Sequence, residues 1–206
     1  MGLYAKYVLP RLINCACGQE SITEQRKKVV PLAEGRILEI GLGAGHNLPF
    51  YAPSRVEKLW GLEPSAEMRA IAQKAIDAAP FEVEVLDLPG EQIPLDDNSV
   101  DTIMVTYTLC TIADVMGALA DMRRVLKPSG RMIFCEHGAA PDEKIRRWQN
   151  RLTPLWKRLG GGCHLNRDIP GLIMESGFKI PELEAGYLED APKILSFNYW
   201  GWAEPR

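Results

Sequence analysis

The part of the sequence best suited to chemistry is a run of glycines beside an acidic residue. Gly41, Gly43 and Gly45 follow the short apolar segment 36–40, which contains Glu39. Because glycine has no Cβ, the backbone of such a turn can bend tightly and come close to a ligand. The segment therefore predicts a buried strand that runs into a ligand-binding turn. A tight strand-to-helix turn without a ligand is the alternative interpretation.

The spacing of these glycines separates two kinds of ligand. A dinucleotide-binding turn has the pattern G-x-G-x-x-G, which would require glycine at position 46, where this chain has His46. The chain instead has G-x-G-x-G, with Glu39 two residues before the first glycine. A carboxylate at that place suits a positively charged ligand better than a pyrophosphate. We therefore expect a nucleotide-like cofactor with a cationic group, and His46 weighs against a nicotinamide-dependent dehydrogenase.

A second acidic residue, Glu63, ends the predicted strand 56–62 and lies 18 residues after Gly45. In βαβ sheets an acid about 20 residues after the glycine turn accepts hydrogen bonds from ribose hydroxyls. Ser65 is predicted to cap a helix over 66–79. Glu63 is therefore a candidate ribose ligand, with a solvated surface acid as the alternative.

Strand and helix patterns alternate along the rest of the chain. Strands are predicted at 36–40, 56–62, 81–86, 100–105 and 131–135, and a hairpin is predicted from 178–188 and 194–203. Helices are predicted at 20–34, from Asn47 onward, and at 66–79, 112–126, 144–159 and 168–176, with a break at 153–154. The third strand is predicted to be an edge strand, and 127–130 a turn. This alternation predicts a doubly wound α/β fold with a mainly parallel sheet.

Polar residues follow the predicted fourth and fifth strands, at the edge where such sheets bind ligands. Thr106 and Tyr107 end the fourth strand, and Glu136 and His137 end the fifth. Histidine has an ordinary pKa of about 6.5 and can accept a proton near neutrality. His137 is the best candidate for a catalytic base, although a hydrogen-bonded structural histidine explains the position equally well.

Composition limits the classes of protein that fit. A chain of 206 residues with 46% hydrophobic and 25% charged residues fits one globular domain, residues 1–206. The net charge of −3 argues against a nucleic-acid partner. The five cysteines include no C-x-x-C pair, which indicates reduced thiols in a cytoplasmic protein. Cys15 and Cys17 could form a metal or redox pair, but no metal is expected.

Residues 1–30 form an N-terminal lid or amphipathic element in this interpretation. No segment reaches the roughly 18 to 20 apolar residues that a membrane-spanning helix needs, and Pro10 interrupts any signal-peptide core. Within residues 3–13, six apolar residues stand beside Lys6 and Arg11 and form a short amphipathic element that could lie on a membrane. Packing as a lid on the chain's own domain is the favoured alternative.

Two sets of residues carry a resemblance to a known family. Over residues 30–140, the chain resembles the class I S-adenosylmethionine-dependent methyltransferases in Glu39, the three glycines, Glu63, Gly90-Glu91 and Leu126-Lys127-Pro128-x-Gly130. Most of the chain also resembles the small subgroup that includes the thiol methyltransferases, in Thr108-Leu-Cys110, Glu136-His137, Trp148-Gln149, Pro154-x-Trp156-Lys157, Gly162-Cys163 and Arg167.

The resemblance implies a Rossmann-like seven-stranded sheet with an antiparallel C-terminal hairpin. It implies S-adenosyl-L-methionine as the cofactor, because this molecule combines a cationic end with a ribose and an adenine. The implied cofactor-binding residues are Glu39, Gly41, Gly43, Gly45, Asn47, Glu63, Pro64, Pro89, Gly90, Glu91, Thr106 and Tyr107. Many relatives have Asp or Ser where this chain has Pro89, so the adenine contact is assigned to Asp87 or to the backbone N–H of Gly90.

The acceptor is expected on the side formed by segment 141–176. The expected pocket residues are Tyr107, Cys110, Glu136, His137, Trp148, Trp156, Cys163, His164 and Arg167. Of these, Trp148 and Trp156 are favoured as core residues, and Cys163 as a small buried residue rather than a reactive one. The resemblance implies methyl transfer to a small, fairly apolar acceptor, with a thiol as first choice. An O- or N-methyltransferase of a small molecule or lipid, and a non-catalytic cofactor-binding module, are the alternatives.

Overall fold

The computed structural model describes residues 3–90, 92–189 and 191–206. Over these ranges, seven strands form one sheet in the order β3-β2-β1-β4-β5-β7-β6. The strands are β1 Gly35–Ile40, β2 Val56–Leu62, β3 Val83–Leu86, β4 Val100–Thr106, β5 Leu126–His137, β6 Phe178–Tyr187 and β7 Phe197–Pro205. Only β7 runs antiparallel to its neighbours, β5 and β6. The predicted Rossmann-like sheet with an antiparallel C-terminal hairpin is confirmed.

The helices connect these strands. They are α1 Leu9–Cys17, α2 Glu20–Val29, α3 Ala66–Ala78, α4 Val115–Val125, α5 Glu143–Leu159, α6 Ile169–Glu175 and α7 Lys193–Ser196. A short π-helix, Tyr4–Val8, precedes α1, and three 3₁₀ segments cover Val30–Leu32, Leu48–Phe50 and Pro53–Arg55. None of the helices in the described ranges is long and apolar enough to cross a bilayer.

The core lies on both faces of the sheet because neighbouring strand residues point in opposite directions. On β1, Leu38 packs in a cluster with residues of α4 and α6, whereas Ile37 packs in a second cluster with residues of α2 and α3. Both side chains are fully buried. The central strands are thereby fixed between two layers, and their carboxyl ends form a rigid edge.

The sequence predicted the elements around β2 most accurately. The strand has the predicted bounds, and α3 begins directly after Ser65, whose Oγ accepts a hydrogen bond of 3.2 Å from the backbone N–H of Met68. The prediction that β3 lies at an edge of the sheet is also confirmed.

The predicted helix after the glycine turn is wrong. Only two 3₁₀ turns occupy this region, and Asn47 makes no capping hydrogen bond with its side chain. Pro49 could begin a helix, but Pro53 would then fall four residues later, where it lacks the N–H donor and would clash with the carbonyl of Pro49. The turn therefore offers no helix N-terminus to a ligand.

Several other boundaries also differ from the prediction. Helix α5 continues through Pro154, and Thr153 Oγ1 donates a 2.7 Å hydrogen bond to the carbonyl of Gln149 inside it. Residues 127–130 are a register shift within β5 rather than a separate turn. Strand β7 begins at Phe197 because the short helix α7 occupies the preceding residues.

Strand β6 forms the other edge of the sheet and is irregular. It contains Pro181, and its pairing with β7 shifts register between Lys179 and Glu182. Glu182 and Glu184 on the same strand are exposed. Proline has no N–H to donate, so it is tolerated at an edge and not in the middle of a sheet.

Candidate active site

A cavity of about 870 Å³ opens at the carboxyl ends of the central strands. This volume is in the range of ligand pockets, and the position is where doubly wound sheets bind ligands. The predicted cofactor residues that line it are Glu39, Gly41, Gly43, Asn47, Glu63, Pro64, Pro89, Gly90, Thr106 and Tyr107. The structure therefore brings these ten residues to one cavity.

The glycine turn has the backbone shape that its sequence predicts. Gly41, Gly43 and Gly45 have φ angles of 75°, 57° and 77°, a region that L-amino acids with side chains rarely adopt. A Cβ on Gly41 would lie 2.4 Å from Oγ1 of Thr108, whereas a Cβ on Gly43 would meet nothing closer than 3.7 Å. Position 41 must therefore be glycine because Thr108 leaves no room for a Cβ, whereas the space beside Gly43 is open on the cavity side.

Glu39 is the centre of a buried hydrogen-bond network. Its Oε1 accepts from Asn47 Nδ2 at 2.9 Å, and its Oε2 accepts from the hydroxyl of Tyr51 at 2.8 Å. Asn47 also accepts a 3.0 Å bond from Nε of Arg26. Burial raises the pKa of Glu39 to about 7, despite these donors. The carboxyl is therefore placed to ionise when a cationic ligand arrives.

Glu63 is held by backbone amides on both sides. Its Oε2 accepts from Gly43 N at 2.9 Å, and its Oε1 accepts from Ser65 N at 2.8 Å. Burial raises the pKa of Glu63 above its ordinary value. This arrangement fixes the carboxylate between the glycine turn and the start of α3, with further lone pairs free to accept from a diol.

The loop after β3 places Pro89 and Gly90 on the cavity wall. Glu91 lies outside the described residues. Asp87 does not line the cavity, because both of its oxygens bind Arg69, at 2.5 and 2.7 Å. Of the two groups expected to contact adenine, Gly90 lines the cavity and Asp87 does not.

The segment after β4 is held by a carboxylate from β5. The backbone N–H groups of Thr108 and Leu109 donate to Glu136 Oε1 at 2.6 and 3.1 Å. Glu136 is completely buried, its Oε2 has no hydrogen-bond partner among the described residues, and burial raises its pKa to about 7. Tyr107 has a φ of 55°, which turns its ring toward the cavity side and beneath the guanidinium of Arg26.

His137 lies behind this wall, in a cluster with two cysteines. Its Nε2 is 3.1 Å from Sγ of Cys163, and the ligating atoms of Cys110, His137 and Cys163 all lie within 4.8 Å of one another. Contacts with Cys110, and with His137 less strongly, lower the pKa of Cys163 to about 4, although burial opposes this shift. These contacts favour the thiolate form of Cys163, whose side chain is half-buried.

The remaining predicted acceptor residues have different positions. Arg167 donates to the carbonyls of Leu109 and Ile112, so it fixes the loop after β4 instead of facing the cavity. His164 Nδ1 lies 3.1 Å from the carbonyl of Cys110. The prediction that Trp148 is a core residue is wrong, since 48% of it is exposed. Trp156 is half-buried, and its indole N–H helps to lower the pKa of Cys163.

Several residues that line the cavity were not among the predicted site residues. Arg26 of α2 is buried and joins the Glu39 network, and its Nη1 also donates to the carbonyl of Cys17 at 2.5 Å. Helix α1 closes one side of the cavity with mostly apolar residues, namely Leu9, Pro10, Ile13 and Cys17. The only available signal was an arginine within an otherwise ordinary amphipathic helix, which does not distinguish a buried cation from a solvated one.

Comparison with known proteins agrees with this geometry. A family model described as "Methyltransferase domain" matches residues 38–134. Thiol S-methyltransferase TMT1B of Rattus norvegicus is 31% identical over 155 residues, which are 73% of this chain and 63% of that protein. Thiol S-methyltransferase TMT1A of Homo sapiens is 31% identical, with 75% and 64% covered. The chain therefore spans less than two thirds of the length of these curated relatives.

Solved structures share the fold. An S-adenosylmethionine-dependent methyltransferase from Thermotoga maritima superposes with a TM-score of 0.67 at 21% identity, covering 98% of this chain and 99% of that one. A second, from Aquifex aeolicus, has a TM-score of 0.66 at 18% identity, with 96% and 98% covered.

Fold, cavity and family match together define a class I S-adenosylmethionine-dependent methyltransferase domain, and the family implies S-adenosylmethionine as the cofactor. Within this family, the chain is similar to the subgroup that contains the thiol S-methyltransferases TMT1A and TMT1B.

Proposed function

We propose that this protein transfers the methyl group of S-adenosylmethionine to the sulfur of a small, apolar thiol. The observation that carries the proposal is one continuous cavity, which joins the glycine turn and Glu63 to an apolar wall formed by Leu9, Ile13 and Ile112. The names of the thiol-methylating relatives support sulfur as the acceptor atom.

We propose one orientation for the cofactor in this cavity. Glu63 would accept from the ribose hydroxyls, since its position between two backbone amides leaves outward lone pairs. The adenine would lie against Pro89 and Gly90, and the charged methionine end would lie near Glu39. The methyl group would then face the apolar wall.

Methyl transfer is an in-line displacement, and its main requirement is alignment of the reacting atoms at about 3–3.5 Å. The acceptor sulfur forms a bond to the methyl carbon while the carbon–sulfonium bond breaks, and the thiol proton leaves to a base or to solvent. We propose His137 as the base. To act as the base, its Nε2 must leave Sγ of Cys163 and contact the acceptor thiol instead.

The segments around the cavity have proposed roles as well. We assign residues 1–30 as a lid, because α1 contributes four residues to the wall, and segment 141–176 as the acceptor side of a single domain. We also propose that the protein works in the cytoplasm with reduced thiols, supported by five cysteines without a disulfide. No nucleic-acid partner is proposed, given the net charge of −3.

The test compares hexanethiol, hexanol, a phenol and an amine as acceptors from pH 6 to 10. Hexanethiol should be methylated fastest. Its kcat/KM should rise through the thiol pKa and then flatten, because the thiolate is the nucleophile. A faster alcohol, phenol or amine would move the protein to O- or N-methylation. Tight cofactor binding without any product would indicate a non-catalytic binding module.

A further inference from the structure

The cluster of Cys110, His137 and Cys163 is not explained by methyl transfer alone. The three residues come from the loop after β4, the end of β5 and the turn after α5. Their ligating atoms, two sulfurs and one imidazole nitrogen, lie within 4.8 Å of one another. Such a convergence of soft donors is uncommon without a function that uses it.

The distances suit a zinc ion. Zinc binds thiolate at about 2.3 Å and imidazole at about 2.0–2.1 Å, so donor atoms around a tetrahedral ion lie roughly 3.3–3.8 Å apart. The His137–Cys163 contact of 3.1 Å needs only to open slightly, and no separation needs to shorten by more than about 1 Å. Two sulfurs and one nitrogen favour Zn²⁺ over Mg²⁺ or Ca²⁺, which prefer oxygen.

The ligands are held in place by surrounding groups. The carbonyl of Cys110 accepts from the backbone N–H of His164 at 2.9 Å, and Arg167 binds the carbonyls on either side of this loop. Glu136 precedes His137 and lies within electrostatic range of both Cys110 and His137. Support of this kind is what orients the ligands of a metal site.

Glu136 provides a second, independent observation. It is a completely buried carboxylate whose Oε2 has no hydrogen-bond partner among the described residues. Oε1 of the same carboxyl group accepts two backbone hydrogen bonds, so only Oε2 lacks a partner, and a buried polar atom without a partner is costly. A divalent cation bound by its neighbour His137 would lie within electrostatic range of this carboxyl group.

We propose that Cys110, His137 and Cys163 bind one Zn²⁺ ion through two thiolates and one imidazole, with a fourth position open to an external thiol. In the described part of the chain, no fourth Cys, His, Asp or Glu joins the cluster. Three protein ligands with an open fourth position are typical of catalytic rather than structural zinc. The three ligands are too far apart in the sequence for their spacing to indicate a zinc site.

The three ligands do not line the cavity themselves, but residues near two of them in the chain do. Thr111 and Gly161 line the cavity, and they stand one residue after Cys110 and two residues before Cys163. A thiol bound to zinc is deprotonated, so the open position would present the acceptor as a thiolate. The zinc site itself does not depend on the proposed function, whereas a thiol as the fourth ligand rests on it.

This assignment and the role of His137 as a base exclude each other. A ring nitrogen bound to zinc has no free lone pair to accept a proton from the acceptor. The metal titration therefore also decides between the two roles: binding at His137 would remove it as the base, with zinc lowering the pKa of the thiol instead, and no binding would leave His137 as the proposed base.

The test titrates Co²⁺, a spectroscopic substitute for Zn²⁺, into the untagged, chelator-treated and reduced full chain without cofactor or acceptor. One Co²⁺ per chain should bind with sulfur-to-cobalt charge-transfer bands and tetrahedral d–d bands, and Zn²⁺ should displace it. Cys163→Ser and His137→Gln should each weaken binding by more than about 100-fold, since even loss of a supporting group costs 10–100-fold. Cys15→Ser is the control, because this exposed cysteine lies outside the cluster.

Two results would overturn the zinc site. One is the absence of stoichiometric binding by the reduced chain, and the other is binding that survives Cys163→Ser but is lost in Cys15→Ser. If a variant does not fold, alkylation of the wild-type chain tests the site instead. Bound Zn²⁺ should protect the thiols of Cys110 and Cys163 from the reagent. Hexanethiol added to the Co²⁺ form should shift the d–d bands, and an unchanged spectrum would remove the thiol as the fourth ligand. These readings need no methyl transfer, so they remain separate from the proposed activity.

Discussion

The cofactor end of the cavity and the cysteine–histidine cluster are built in opposite ways. At the cofactor end, both oxygens of Glu39 and both oxygens of Glu63 already accept hydrogen bonds, from residues at most 12 and 20 positions away in the chain. The cluster instead unites segments 26 to 53 residues apart and lies beside a carboxylate oxygen that has no hydrogen-bond partner within residues 3–90, 92–189 and 191–206.

The two regions therefore differ in how their polar groups are partnered. The carboxylates at the cofactor end are preorganised, so cofactor binding needs little rearrangement of protein groups. The cluster instead brings two sulfurs and one imidazole nitrogen within 4.8 Å of one another. Perturbing each region should therefore have different consequences.

The largest expected effect is that of Gly41→Ala at the cofactor end. The substitution places a Cβ 2.4 Å from Thr108 Oγ1 at a φ of 75°, so the turn must move. We expect the free energy of unfolding to fall by about 1–3 kcal/mol. Cofactor affinity should fall by at least about 100-fold, equivalent to about 2.7 kcal/mol. Chemical denaturation and calorimetry with S-adenosylhomocysteine measure the two quantities.

Gly186→Ala on β6 is the matched control. Its φ is outside the left-handed region, and its nearest neighbour would be Trp200 at 3.6 Å. It should change stability by no more than about 0.5 kcal/mol and leave affinity unchanged. Equal losses in both variants would show that the glycine turn has no special role.

The second effect concerns Glu63→Ala, which should weaken cofactor binding by more than about tenfold because charged hydrogen bonds contribute about 1.5–3 kcal/mol. The fold should persist, since only two backbone donors lose their acceptor. Glu57→Ala, which removes an exposed acid from β2, the strand that precedes Glu63, is the control. Calorimetric affinities that match for the two variants would contradict a role of Glu63 in cofactor binding.

The smallest expected effect is a pH dependence of cofactor affinity. With a pKa of about 7, Glu39 is largely protonated below that pH, and a cationic ligand prefers its ionised form. Affinity should therefore rise by up to about tenfold between pH 6 and pH 8 and level off above the pKa. Calorimetry should show proton release on binding near pH 6. Glu39→Gln should bind weakly with no such slope, and a wild-type profile without a slope would contradict the assignment.

The same contrast explains what the sequence could predict. β2, the cap at Ser65 and the acid at Glu63 follow from local patterns, because the residues that form them are neighbours in the chain. The contacts within the cluster of Cys110, His137 and Cys163 could not be predicted from its spacing, which contains no local ligand motif, although all three residues were expected on the acceptor side. The order of the hairpin strands came from the family resemblance rather than from periodicity.

Errors arose where tertiary contacts override a local signal. Asn47 looked like a helix cap but uses its side chain in the buried network of Glu39. Pro154 looked like a helix breaker, yet α5 remains intact around it. Trp148 is apolar enough for the core, but it lies on the outer face of α5, while the neighbouring Gln149 is buried and makes three hydrogen bonds.

The irregular edge strand β6 has a consequence for the behaviour of the protein at high concentration. An exposed edge offers unpaired N–H and C=O groups to another chain, and a regular edge strand invites the growth of intermolecular sheets. Pro181 removes one of these donors, the register shift beside it disrupts the flat geometry, and Glu182 and Glu184 would meet like charges on a second copy. This edge thus resists amyloid-like aggregation, and replacing Pro181 with valine would remove one of the features that limit pairing with a second chain.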